Sequence, residues 1–151
     1  LYTLRLLAGG AATATPISQW LAGFSTFLFL SLATVKRFSE LENLRERGAT
    51  EMPGRGYNVA DLEQIRSFGT ASAYAAVVVF MLYIGRSDVA LLYRHATRLW
   101  LIVPFLIYWL NRVWLLASRG EMEEDPVVFA MRDPLSLAVG LAVAIIAIAA
   151  A

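Results

Sequence analysis

Two adjacent cations, Lys36 and Arg37, followed by Glu40, are the residues of this chain best suited to chemistry. On a helix, a spacing of three or four residues puts Lys36 and Glu40 on one face. Arginine grips phosphate oxygens through paired hydrogen bonds and lysine supplies a compact charge. The group therefore suits a phosphorylated substrate, with Glu40 orienting a cation or holding a sugar hydroxyl. The same pair equally suits snorkelling cations at a membrane boundary. Arg45, Arg47 and Arg55, with Tyr57, carry the basic character through a stretch containing Gly48, Gly54 and Gly56. Glycine lets backbone N–H groups approach an anion closely, though a solvated loop has the same composition. The stretch is no Walker A sequence, and no G-x-G-x-x-G opens a helix after a strand. Arg112 stands alone in an apolar run, a costly position unless the charge snorkels, pairs or faces water. A substrate phosphate and Glu40 are its candidate partners. Glu121, Glu123, Glu124 and Asp125, with Asp133 further on, could ligate Mg²⁺ alongside phosphate and water, or form a solvated acidic loop. His95 has no neighbour that suggests catalysis, and the absence of cysteine excludes thiolate metal sites and thiol nucleophiles.

The elements that must position these groups are marked by where the charges stop. Ile17 to Val35, Ser67 to Gly85 and Leu135 to Ala151 contain no ionisable acid or base, tyrosines apart, and Leu99 to Ser118 contains only Arg112. Each run approaches the roughly 20 residues that carry an α-helix across a bilayer core. A composition of 58% hydrophobic and 17% charged residues, with mean hydropathy +0.59, agrees with an integral membrane protein. The net charge of +1 gives no case for a nucleic-acid partner. The reading is all-α: a membrane helical bundle of about four complete spans, with Leu1 to Ala14 as the end of a fifth. On that reading residues 1–151 are the C-terminal part of one membrane domain.

Local signals place the boundaries. Thr15 and Pro16 suit a helix start, and the mixed charges of Lys36 to Arg47 extend that helix beyond the apolar run to Gly48. Asn58 and Asp61 form a capping-box pattern ahead of the next span. Ser87 to Tyr93 suits a short interfacial helix, Pro104 predicts a kink in its span, and Asp133 with Pro134 starts the last helix. Alternation puts the connections Lys36 to Arg66 and Arg119 to Asp133 on one face. That face carries Lys36, Arg37, Arg45, Arg47, Arg55, Arg66, Arg119 and Arg132, against Arg86, Arg94 and Arg98 opposite. The positive-inside rule makes the richer face cytoplasmic, which predicts an inner-membrane protein with its polar surface on that side.

These features resemble the UbiA superfamily of intramembrane polyprenyl transferases over essentially the whole chain. In that family helices surround a central cavity, and phosphate-binding motifs lie on cytoplasmic loops. The usual second motif is D-x-x-x-D, whereas here Lys36-Arg37-Phe38-Ser39-Glu40 occupies its place. That departure is similar to the branch containing decaprenyl-phosphate phosphoribosyltransferases, as is the stretch from Glu124 through Pro126, Val127 and Val128 to Asp133. The resemblance implies Mg²⁺-assisted transfer from phosphoribosyl pyrophosphate to a polyprenyl phosphate. Lys36 and Arg37 would then hold donor phosphates, Glu40 would position them or the ribose, and Arg112 could face the acceptor phosphate, with Arg45, Arg55 and Tyr57 as further substrate-binding candidates and the main aspartate motif upstream of Leu1. Prenyl diphosphate transfer to an aromatic acceptor, and a non-catalytic lipid-binding subunit, are the alternative readings.

Overall fold

A long helix forms wherever apolar residues are continuous and the few hydroxyls can be satisfied within the helix itself. In α1 (Gln19–Glu46) the Thr26 and Thr34 hydroxyls donate to the carbonyls of Ala22 and Leu30, at 2.8 and 2.7 Å. In α2 (Leu62–Ile84) Ser72 does the same to Phe68 at 2.7 Å. These bonds make both helices compatible with an apolar surrounding. The computed structural model describes residues 18–48, 56–122 and 125–151, apart from the side chain of Ala90. The expected helix start at Thr15 and Pro16, and the helix end before it, lie outside the described residues.

The charged second half of α1 is helical, as its composition predicts, and the chain leaves it through Gly48 at φ +72°, a conformation glycine adopts without strain. The Asn58–Asp61 box is present: Asn58 Oδ1 accepts from the Ala60 N–H and Asp61 Oδ2 from the Asn58 N–H, both at 2.9 Å. It closes a 3₁₀ turn, Val59–Asp61, from which α2 continues. At the far end of α2 come the short α3 (Ser87–Leu92) and a 3₁₀ segment (Ala96–Leu101) that passes directly into α4 (Ile102–Ser118). Pro104 therefore lies in the first turn of α4, beside the change from 3₁₀ to α, and not at an interior kink.

The acidic connection after α4 is not simply a loop. It contains α5 (Pro126–Arg132), which meets α6 (Pro134–Ala150) at 82°. Asp133 sits in the corner and caps α6, its Oδ2 accepting from the Ser136 N–H at 2.7 Å. At 1.5 Å per residue the 17 residues of α6 cover about 26 Å. It runs antiparallel to α4: Trp109 Nε1 bonds Ser136 Oγ near its start, and Arg98 and the His95 N–H hold the Ala149 and Ala150 carbonyls near its end.

The described residues form helices joined by short connections, without an extended strand. Three segments are long and apolar enough to cross a membrane, Gln19–Glu46, Val59–Ile84 and Ala96–Ser118, and the bent pair α5–α6 makes a fourth if counted as one span. The core lies where α1, α2 and α4 meet. Val35, Phe38, Ala76, Val113 and Ala117 are fully buried there. Trp114 reaches from α4 to bond Ser31 Oγ at 3.1 Å and meets Phe38 edge-on at 5.9 Å between ring centres. Gly69 leaves the space that the indole fills.

Candidate functional site

Near the junction of the apolar and charged halves of α1, that helix and α2 diverge around a groove of about 880 Å³. Leu30, Ala33, Phe68 and Ala71 make its apolar part, and Lys36, Arg37, Tyr57, Asp61 and Gln64 line its polar end, the mouth. Lys36 and Arg37 are adjacent, yet their partners differ. Arg37 pairs with Glu40 one helical turn on, which orients its guanidinium. The Lys36 ammonium instead reaches across to Asp125 at the start of α5, Nζ to Oδ2 2.9 Å. Glu40 thus orients the arginine, and the second carboxylate at this site comes from a distant part of the chain. Lys36 donates the strongest interaction to Asp125 and, aided by the Val127 N–H, holds that carboxyl below the usual range against the opposing effect of burial.

Three of the sequence-predicted residues, Lys36, Arg37 and Tyr57, line the groove, and Glu40 joins them through Arg37. Arg55 lies outside the described residues. Arg45 does not join the group: it lies eight residues beyond Arg37, about 12 Å along the helix, and pairs with the buried Glu42. Arg112 is also elsewhere. Its Nη1 and Nη2 bond both oxygens of Asp133, at 2.8 and 2.9 Å, and its guanidinium lies over the Phe129 ring at 5.5 Å. Its partner is therefore the helix-capping aspartate, not Glu40. Burial pushes the Asp133 carboxyl up, but the bonds from Arg112 and Ser136 outweigh it and leave the group below its ordinary value.

A second cavity, of about 720 Å³, lies between α4, α5 and α6 and is almost wholly apolar. Phe24 and Phe80 bound it from α1 and α2, Leu106 and Trp109 from α4, and Val127 and Met131 of α5 from the end nearest the charged groups. Among the described residues no group of three or more His, Cys, Asp or Glu is placed to hold a metal ion. Among the described residues, the one carboxylate lining the basic groove, Asp61, is engaged in the capping box. The described residues do not by themselves fit the Mg²⁺ site that the resemblance implies.

The fold and site together define a chain whose described elements are helices, some long and apolar enough to cross a membrane, with a groove that is cationic at one end and apolar along the rest. It is similar to the nodulation protein NoeC of Azorhizobium caulinodans, 35% identical over 153 residues, covering 97% of this chain and 48% of that protein. It is also similar to the uncharacterized protein y4nM of Sinorhizobium fredii, 34% identical over 145 residues, covering 95% of this chain and 28% of that protein. The chain spans about half or less of the length of these curated relatives. No family model matches it. No solved structure matches it either.

Proposed function

We propose that this chain belongs to a membrane-embedded transferase of the UbiA type that moves phosphoribosyl from phosphoribosyl pyrophosphate to a polyprenyl phosphate at the cytoplasmic face of a bacterial inner membrane. The observation that carries the reading is the groove: two adjacent cations at the mouth of an apolar trough suit a phosphate attached to a hydrocarbon chain or presented beside one. The basic connections clustered at this end support the cytoplasmic orientation. In the reaction an oxygen of the lipid phosphate attacks carbon one of the ribose as the bond to pyrophosphate breaks, and pyrophosphate leaves with the bonding electrons. Lys36 and Arg37 hold phosphate oxygens, Glu40 keeps the Arg37 guanidinium in one orientation, and Tyr57 offers a hydroxyl at the rim. Arg112 takes no part, because its guanidinium is committed to Asp133. The resemblance implies Mg²⁺; carboxylates to hold it would have to come from outside the described residues, and the ion would there neutralise charge on the donor pyrophosphate.

The test is transfer by the whole protein in detergent with Mg²⁺, radiolabelled phosphoribosyl pyrophosphate and polyprenyl phosphate. Label enters the lipid fraction, and Lys36→Ala lowers kcat/KM about tenfold or more, the loss expected for a charge-assisted phosphate contact worth about 1.5–3 kcal/mol. Folded protein that leaves the label in the aqueous phase overturns the phosphoribosyl assignment. Incorporation from a prenyl diphosphate into an aromatic acceptor instead would assign the prenyl reaction.

A further inference from the structure

The Lys36 ammonium belongs to two structures at once. It lines the mouth of the α1–α2 groove, and it bonds Asp125 Oδ2 at 2.9 Å. Asp125 is the N-cap of α5, its Oδ1 accepting from the Val127 N–H at 3.0 Å. Through Val127, Ala130 and Met131, α5 lines part of the apolar cavity. The two ends of α5 are held unequally. At its C-terminal end Asp133 is clasped by both nitrogens of Arg112, whose side chain is 23% exposed against 11% for the aspartate. At its N-terminal end the polar tie to α1 is one ion pair with 45% and 37% of the side chains exposed, beside the packing of the fully buried Pro126.

A phosphate entering the groove is multiply charged and meets Arg37 as well as Lys36, so it competes strongly for the ammonium. Phosphate and the Asp125 carboxylate repel each other when both crowd one cation. We infer that the Lys36–Asp125 pair is a latch: a phosphate group bound in the groove takes Lys36 from Asp125, loosening the N-terminal end of α5 where it lines the apolar cavity, with the Arg112–Asp133 corner as the hinge. This rests on the phosphate reading of the groove and adds its regulation. Coupling is reciprocal, so whatever loosens the latch tightens phosphate binding by the same factor. An exposed ion pair sets that factor at about fivefold or less.

Asp125→Asn tests it, because asparagine keeps a favoured N-cap side chain while removing the charge; Asp125→Ser, also a favoured cap, serves if the first variant folds poorly. Inorganic pyrophosphate is titrated into the protein in phosphatidylcholine nanodiscs, and in a second arm phosphatidic acid is added to the bilayer. Binding and amide hydrogen exchange over residues 127–132 are measured together. In the unsubstituted protein at least one phosphate source raises exchange there several-fold, and the effective arm says whether a soluble or a lipid phosphate occupies the groove. Asp125→Asn shows raised exchange without ligand, no further rise with it, and phosphate binding about two- to fivefold tighter. Tighter binding alone would follow from deleting any nearby negative charge, so the exchange pattern decides. Phosphate that binds through Lys36 yet leaves exchange over 127–132 unchanged overturns the latch and keeps the groove. No phosphate binding in either arm, with folded protein, overturns both.

Discussion

Gly69→Ala is expected to unfold this protein at a lower temperature than the same change at the other described helical glycines, Gly23 and Gly140. A Cβ built at Gly69 falls 2.1 Å from Trp114 Cζ2 and 2.4 Å from Cη2, with Thr34 Cγ2 at 2.9 Å. Those distances are far inside van der Waals contact, and the indole cannot retreat freely. It is bonded to Ser31 and packed edge-on against Phe38, which is itself fully buried. Alanine is the better helix former by about 1 kcal/mol, so the local effect of the change is favourable and the packing effect opposes it. Overpacking of a rigid core typically costs about 1–3 kcal/mol, and here a displaced tryptophan also forfeits a buried hydrogen bond worth about 1 kcal/mol. The expected outcome is a net loss, read as a fall in Tm in detergent with an altered Trp fluorescence spectrum. A double-mutant cycle with Trp114→Phe checks the cause. The smaller ring removes the obstacle, so Gly69→Ala costs less in that background. An equal cost in both backgrounds would place the damage somewhere other than the indole.

That packing was not legible in the sequence, where Gly69 is one of several small residues in an apolar helix. Features settled within a few residues were legible. The charge-free runs give helices, the Asn58–Asp61 pattern gives its box, Gly48 ends α1, and Asp133 caps the last helix, because each depends on neighbours one turn away. Groups whose partners come from elsewhere were only half legible. Lys36 reads as a cation where the apolar half of α1 gives way to its charged half, but its partner Asp125 lies 89 residues on and meets it only because α5 folds back towards α1. Arg112 reads correctly as a charge needing a partner, yet the partner depends on the 82° corner between α5 and α6. Arg45 shares the basic run of Lys36 and Arg37 but is more than two turns along the same rod, which composition alone conceals. Pro104 shows the converse, since a proline that predicts a kink is absorbed in a first turn preceded by 3₁₀ structure.

Breaking the Arg112–Asp133 clasp has the second large expected effect, and its pH dependence identifies the mechanism. Arg112→Ala leaves Asp133, 11% exposed in the unsubstituted protein, without its cationic partner, although it keeps the Ser136 N–H. Removing one member of a buried pair costs about 3–5 kcal/mol, and the partial exposure of Arg112 puts the expectation near the lower figure, about 3 kcal/mol. The folded-state pKa of Asp133 is depressed, so the clasp contributes fully above the unfolded carboxylate value near 3.9 and is lost as pH falls through the lower folded value. The Tm gap between the unsubstituted protein and Arg112→Ala is therefore widest near neutrality and narrows below about pH 4. Asp133→Asn keeps a competent cap for α6 but strands the arginine, while the double variant Arg112→Leu with Asp133→Asn leaves no unpaired charge. The double variant is expected to be more stable than Arg112→Ala, because the cost lies in an uncompensated buried charge more than in the lost attraction. Arg112→Ala should also leave Lys36-dependent phosphate binding nearly intact, since Arg112 does not line the basic groove. A tenfold loss of that binding in folded Arg112→Ala protein would return the arginine to the binding machinery and separate its role from the clasp.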